Sequence, residues 1–157
     1  MNNELKKSLK RLSACKEAVE WVGDRDLQTA WKDCERGDWM LWLCAKKQGE
    51  RGWPTRQQIV LVACECAELT LPIFEKKFPD DTRVKNCIEI TRKWALGEAS
   101  INEVWSARNA AYVAAAAAYV VADAGVADAA ADARLRMQKK CADICREHLS
   151  IPVEINV

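Results

Sequence analysis

Cys141, Cys145 and His148 come closest to a metal site by residue type and spacing. At positions i, i+4 and i+7 of a helix the three side chains share one face, and thiolate and imidazole are ligands that zinc prefers. A fourth ligand would have to come from another helix. The same spacing is typical of a helix stripe that faces the core, where cysteine is often buried. We therefore predict core packing and no metal, with a metal site as the alternative.

The other groups of potentially reactive side chains do not form a catalytic site. Cys64 and Cys66 lie two positions apart, about 200° around a helix, so their thiols cannot bind one ion. Asp123, Asp128 and Asp132 spread around their helices, as is typical of a solvated face. The chain has one histidine and no candidate nucleophile. We predict that it is not an enzyme and has no catalytic or cofactor-binding residues.

Tryptophan and arginine are the residue types most enriched at the centres of protein interfaces. Trp39 stands at a predicted helix start and Trp53 in a loop rich in glycine and proline, so both side chains are expected to be partly exposed. Arg36 and Arg51 lie close to them in sequence. These four residues are the candidate partner interface. The same positions suit a hydrophobic staple and a loop anchor, which is the simpler interpretation.

Three of the seven tryptophans occupy core-type positions of the helical pattern, namely Trp31, Trp42 and Trp94. The chain also has eight cysteines, most of them in apolar helical stretches. Such cysteines behave as small hydrophobic side chains. We predict reduced thiols without an essential disulfide.

Charge and targeting features exclude several classes of protein. The 157 residues carry 24 basic and 23 acidic side chains and a net charge of +1, whereas nucleic-acid binders are usually strongly basic. The N-terminal segment is charged and lacks the apolar stretch of a secretory signal. The longest apolar run, residues 110–122, is shorter than the roughly 20 residues of a membrane span. We predict a cytoplasmic protein that binds neither nucleic acid nor membrane.

Helical periodicity runs through the chain, and glycines and capping residues divide it. The first apolar pattern extends to Gly23, a predicted helix stop, after which Asp24 or Asp26 caps the next helix. Gly37 is expected to supply a positive φ at a helix end, and Asp38 to cap the helix that follows.

Two capping boxes mark further helix starts. Thr55 with Gln58 opens one helix and Ser100 with Glu103 opens another. Between them, Pro72 is expected to kink the first helix or to end it at Leu71.

Fifteen of the 27 residues 107–133 are alanine, the best helix former, and Gly125 is the expected break in this stretch. The tail, residues 150–157, is predicted to be extended. The architecture is therefore all-α, with six to seven helices in a bundle or in stacked hairpins. We predict a single domain over residues 1–149.

Residues 60–148 resemble an alanine-rich helical family of immunity proteins of bacterial polymorphic-toxin systems, which also occurs on phages. The resemblance is weaker around Arg36 to Trp39. It departs from the family at Val84, where proline is expected, and in the alanine-rich stretch, which lacks the usual histidine. The similar segments are Cys66–Glu68, Leu71–Glu75, Pro79–Arg83, Ile88–Glu89, Arg92–Ala95, Gly97–Glu98, the alanine-rich stretch and Cys141–His148.

The resemblance implies a protein that binds and blocks another protein, either a toxin or a bacterial defence enzyme. It brings no catalytic residues with it. Two alternatives stay open, a structural subunit that associates with itself as a homo-oligomer and, less favoured, a metal-dependent enzyme. The sequence does not name the target.

Overall fold

Most of the chain folds into helices that begin and end near the glycines and polar caps of the sequence. The computed structural model describes residues 4–109 and 127–155, with the backbone alone for 127–130. Within these ranges there are eight helices and no strand. In chain order they are α1 (Glu4–Arg11), α2 (Lys16–Val22), α3 (Leu27–Asp33), α4 (Gly37–Lys47), α5 (Arg56–Lys77), α6 (Arg83–Ala95), α7 (residues 101–109) and α8 (Ala127–His148).

The all-α fold is confirmed, but the predicted number of six to seven helices is too low. Sequence periodicity ran through residues 5–22 without a break, whereas the backbone turns at Ser13, whose φ is 61°. The amide of Ser13 donates to the carbonyl of Lys10, and the amide of Ala14 donates to that of Leu9. This pair of bonds closes a helix end of the Schellman type, here with serine in the position that glycine usually takes.

Several predicted boundaries are confirmed. Gly23 ends α2 with a φ of 53°. The Asp26 carboxylate caps α3 by accepting from the amide of Thr29 at 2.7 Å. Ser100 and Glu103 form the reciprocal box, in which the Glu103 carboxylate accepts from the Ser100 amide at 2.7 Å.

Pro72 lies inside α5, which continues to Lys77. Of the two predicted outcomes, the helix end at Leu71 is therefore wrong. Beyond the proline, the rings of Phe74 and Phe78 lie 5.1 Å apart.

By length and composition, α5 is the one helix in the described ranges that could cross a membrane. A core helix of a soluble protein meets the same criterion, and Glu68 on this helix forms an ion pair with Arg92 of α6.

The chain divides into two compact units, which are described separately. Unit 1 comprises Met1–Thr55 and Gln138–Val157. Its core collects apolar side chains from α1 to α4 and from the end of α8, including Leu5, Leu9, Val22, Leu27, Met40, Cys44 and Cys145. The described part of the tail, residues 150–155, is not helical. It lies against this unit, because Ile155 is buried and the Pro152 carbonyl accepts from Gln28 Nε2 at 2.8 Å.

Unit 2 comprises Arg56–Met137. Helices α5 and α6 pack side by side in it, with Ile59, Val62, Cys64, Cys66, Ile88 and Ala95 buried. Most of the alanine-rich stretch, including Gly125, lies outside the described residues.

Candidate functional site

Two of the four residues of the predicted interface lie together at the start of α4. The Arg36 guanidinium carbon stands 4.5 Å from the centre of the Trp39 ring. The Nε and Nη2 atoms of that guanidinium each donate to the carboxylate of Asp38, at 2.9 and 2.7 Å. Both Arg36 and Trp39 are half-buried. The ion pair therefore holds the flat guanidinium over the indole while part of both side chains reaches solvent.

This pair belongs to a longer series of neighbouring arginine and tryptophan side chains. The Trp39 ring lies 6.0 Å from the Trp21 ring at an interplanar angle of 60°. Arg25 in turn lies over Trp21, with its guanidinium carbon 4.7 Å from the ring centre. We call these four half-buried side chains, Arg25, Trp21, Trp39 and Arg36, the arginine–tryptophan row.

Charges in the row are balanced by nearby carboxylates. Arg25 Nε lies 3.6 Å from an oxygen of Asp33, and the Arg25 guanidinium also donates to the carbonyl of Trp21. Burial raises the pKa of Asp38, but hydrogen bonding and charge from Arg36 outweigh it and leave that pKa below its usual value. The hydrogen bond that Arg36 donates to Asp38 in turn raises the pKa of Arg36. The Arg36–Asp38 pair thus stays ionised at neutral pH.

Trp53 does not face outward, so its predicted exposure is wrong. Its side chain is only 7% exposed, and its Nε1 is buried with no hydrogen-bond partner among the described residues. The loop packs inward here, since a Cβ built on the neighbouring Gly52 would stand 3.1 Å from the Cβ of Pro152. Arg51 is exposed but does not belong to the arginine–tryptophan row. The assignment of Arg36, Trp39, Arg51 and Trp53 to a partner interface stays a prediction.

Sequence reasoning missed the other half of the row. Trp21 and Arg25 are four positions apart, a spacing that brings side chains together at the end of a helix. That signal was present in the sequence, but nothing local indicated that Trp21 would meet Trp39. The tryptophans assigned to the core, Trp31, Trp42 and Trp94, are half-buried.

Helix α4 begins differently from the prediction. It starts at Gly37, and Asp38 lies within its first turn, where the carboxylate binds Arg36. Asp38 is therefore not the cap. Its amide instead donates to Gln138 Oε1 of α8 at 3.0 Å, so a side chain 100 positions away satisfies a donor of the first turn.

Gly37 has no positive φ, contrary to the prediction, and its role is close packing. A Cβ added to Gly37 would stand 2.3 Å from the Cβ of Cys141 and 2.8 Å from the amide nitrogen of Ala142. Glycine thus lets the start of α4 lie against α8.

The three residues of the candidate metal site differ in burial. Cys145 is fully buried, with its sulfur 4.0 Å from the Gly37 carbonyl oxygen, and Cys141 is half-buried. The His148 side chain is 45% exposed. Within the described ranges, no group of three or more His, Cys, Asp or Glu side chains is placed to hold a metal ion.

The structure holds all eight cysteines as thiols. Burial raises the pKa of Cys44 to about 12 and also raises that of Cys64. Because the thiolate is the reactive form, both side chains are inert at neutral pH. Cys15 is the exposed member of the set.

A cavity of ≈ 490 Å³ opens among α1 to α4, and Trp21 and Trp39 of the arginine–tryptophan row form part of its wall. Trp31 and Trp42 complete the aromatic part of the lining. The deeper lining consists of buried apolar side chains, including Leu5, Leu9, Val22, Leu27, Met40 and Leu43.

Unit 2 carries two further arginine–tryptophan contacts. Arg56 lies over Trp94 at 5.2 Å, and Arg108 lies over Trp105 at 5.1 Å. The Trp105 side chain is 51% exposed. It provides a second exposed aromatic side chain, which serves as a control for partner binding by the arginine–tryptophan row of unit 1.

The comparisons with known proteins place the chain in a family. Residues 54–135 match the family described as Imm-5 like putative immunity protein, and the chain belongs to that family. The resemblance noted from the sequence is thereby confirmed. Apart from Pro54 and Thr55, the matched residues lie in unit 2. No curated protein and no solved structure matches the chain.

Proposed function

We propose that the protein neutralises a partner protein by binding it, without catalysing a reaction. The partner is a bacterial toxin or a defence enzyme, and binding takes place in the cytoplasm. Membership of the immunity-protein family supports this role. The spread of its acidic side chains and the single histidine, exposed in unit 1, also fit a protein that acts by contact.

The observation that carries the proposed binding surface is the arginine–tryptophan row in unit 1. Trp21 and Trp39 each carry a guanidinium over the ring. Such residues contribute most to affinity when water is excluded around them, because large planar side chains bury area with little loss of conformational entropy. The ion pair of Arg36 with Asp38 holds the stack in place before the partner arrives, which lowers the cost of ordering it.

Charge sets an expectation for how the partner arrives. Electrostatic steering toward a strongly charged partner requires a large field of one sign. The net charge of +1 provides none, and the guanidiniums of the row are paired with Asp33 and Asp38. We expect an association rate that changes little with ionic strength. We also expect a partner surface made of apolar and uncharged polar groups rather than a densely charged one.

Capture from the native host tests the proposal. A tagged chain is used as bait in its own host lysate, and captured proteins are identified by mass spectrometry. Each captured protein, and each toxin encoded near the gene, is then expressed in a sensitive strain with and without the chain. We expect growth to be restored by the wild type and lost with the double variant Arg36→Ala and Trp39→Ala. A purified complex that contains only this chain would contradict the proposal.

Trp105→Ala is the matched control, since it removes a more exposed tryptophan from unit 2. Full rescue by Trp105→Ala together with failure of the double variant supports the row as the surface. The reverse pattern would move the binding surface to unit 2, where the family match lies. Circular dichroism and melting of each variant separate lost contact from lost folding.

Self-association is the second candidate, and exposed apolar side chains in unit 2 favour it. Ile73, Leu96, Trp105 and Leu135 are between 51% and 62% exposed. Exposed apolar patches mark interaction surfaces when they are contiguous. Sedimentation of the purified chain at several concentrations measures this directly.

A further inference from the structure

The cavity of unit 1 has the properties of a small-molecule site. Its volume of ≈ 490 Å³ lies within the roughly 300–1,000 Å³ of pockets that hold small ligands. All of its lining residues belong to α1–α4 or to the turns between them, so a single unit builds the complete site.

The lining determines the polarity of the ligand. Four indole rings and a set of buried aliphatic side chains make up most of the lining, and few polar side chains, among them Ser13 and Asp38, face the space. A water molecule needs about two to four polar partners to be held in a cavity, so an apolar space of this kind favours an apolar occupant over water.

The charged side chains next to Trp21 and Trp39 favour an uncharged ligand. Arg36 donates twice to Asp38, and Arg25 lies 3.6 Å from Asp33. An anionic ligand would therefore have to displace a carboxylate of the protein from its arginine. A cationic ligand would find one face of Trp21 and one face of Trp39 already occupied by guanidiniums.

We propose that the cavity lined by Trp21, Trp31, Trp39 and Trp42 binds an uncharged apolar small molecule of aromatic or aliphatic type. This binding activity is separate from the neutralisation of a partner protein and does not depend on it. The occupant contacts the indoles and the aliphatic side chains that line the cavity.

Cys15 supplies a reporter for occupancy. It is exposed and lines the cavity, whereas Cys87 is half-buried on α6 in unit 2. A ligand that fills the cavity shields Cys15 from alkylation and leaves Cys87 as an internal control in the same molecule.

The test titrates the full chain with N-phenyl-1-naphthylamine, an uncharged fluorophore that brightens in apolar surroundings. We expect saturable binding of one molecule per chain. At a probe concentration ten times the dissociation constant, N-ethylmaleimide should modify Cys15 about tenfold more slowly, because only the unoccupied fraction reacts. The rate at Cys87 should not change. Peptide mapping by mass spectrometry assigns each rate.

Two phenylalanine substitutions locate the site. Ala14→Phe places a ring at the cavity wall and should weaken probe binding at least tenfold, whereas Ala45→Phe on the exposed side of α4 should leave it unchanged. If Ala14→Phe fails to fold by circular dichroism, protection of Cys15 in the wild type decides the question. The absence of saturable binding, equal protection of Cys15 and Cys87, or equal affinity of two folded variants would overturn the proposal. Shielding of Cys15 by a protein partner but not by the probe would also overturn the proposal, because the occupant would then be a side chain of that partner.

Discussion

Gly37 at the start of α4 lies so close to Cys141 of α8 that a Cβ on the glycine would stand 2.3 Å from the Cβ of the cysteine. Real Cβ atoms do not approach one another to this distance. The neighbouring contact at 2.8 Å is with the backbone nitrogen of Ala142, which cannot rotate away. The glycine is therefore required by the packing of two helices and not by its own backbone angles.

Gly37→Ala should lower the free energy of unfolding by about 1–3 kcal/mol, the usual cost of overpacking a close contact. This is opposite in sign to helix propensity, which favours alanine over glycine by about 1 kcal/mol. Ala45→Gly, at an exposed position of the same helix, measures the propensity effect alone. Urea unfolding of both variants separates the two effects, and a Gly37→Ala variant as stable as the wild type would contradict the packing argument.

Local features of the fold could be predicted from the sequence because their partners are only a few residues away. The cap by Asp26 and the box of Ser100 with Glu103 each depend on contacts three residues apart. The prediction failed at Ser13, where the helix end places a serine in a backbone conformation that favours glycine. No composition rule identifies such a turn when apolar periodicity continues across it.

The candidate site was only half predictable for a related reason. Arg36 and Trp39 are three positions apart on neighbouring turns, and their pairing follows from that spacing. The contact of Trp39 with Trp21 and the capping of α4 by Gln138 depend on tertiary packing. The loop that carries Trp53 likewise packs against a residue far along the chain, since a Cβ on Gly52 would stand 3.1 Å from the Cβ of Pro152.

Arg146 should prove important for stability, because it closes the end of α3. One of its terminal nitrogens, Nη1, donates to the carbonyls of Trp31, Lys32 and Cys34 at 3.2, 3.3 and 2.7 Å. These acceptors lie at the negative end of a helix dipole, where a cation is favoured. Arg146→Met should cost about 2 kcal/mol of unfolding free energy, since hydrogen bonds to charged groups contribute about 1.5–3 kcal/mol. Arg136→Met, at an exposed position of the same helix, should cost little in the same urea titration.

Trp53 should act as a loop anchor. Because its side chain is 7% exposed, Trp53→Ala should cost about 3–5 kcal/mol of unfolding free energy, as is typical of truncating a buried tryptophan. Trp53→Phe should cost less than half as much, since it retains an aromatic ring and removes a buried indole N–H that has no partner in the described part of the chain. Thermal and urea unfolding of both variants measure the difference. Equal losses from the two substitutions would show that the indole nitrogen has a partner in solution.

Acid should weaken unit 2 through Glu68. Its hydrogen bond from Arg92, at 2.7 Å, holds its pKa below the ordinary value of 4.5. The unfolded chain therefore binds a proton at higher pH than the folded chain. The stabilisation is complete above pH 4.5 and is lost as the pH falls through the lower, folded pKa. The side chains of Arg92 and Glu68 are 35% and 40% exposed, so solvent screening keeps the effect small.

Glu68→Gln tests this assignment. Between pH 6 and about pH 3, the free energy of unfolding should fall less for Glu68→Gln than for the wild type. The exposed control Glu89→Gln, on α6, should follow the wild-type pH profile. Urea titrations at several pH values provide the measurement. Identical pH profiles for Glu68→Gln and the wild type would mean that the ion pair does not persist in solution.

Affinity for the captured partner should depend on Trp39 more than on the more exposed Trp105. Truncation of a tryptophan at the centre of an interface costs about 2 kcal/mol or more, which raises the dissociation constant about 30-fold at 25 °C. Trp39→Ala should show this loss, and Arg36→Ala, which keeps the indole, should show a smaller one. Trp105→Ala should change affinity less than twofold. Calorimetric titration of folded variants gives the constants, and a 30-fold loss confined to Trp105→Ala would assign the binding surface to unit 2 and contradict the role of the arginine–tryptophan row.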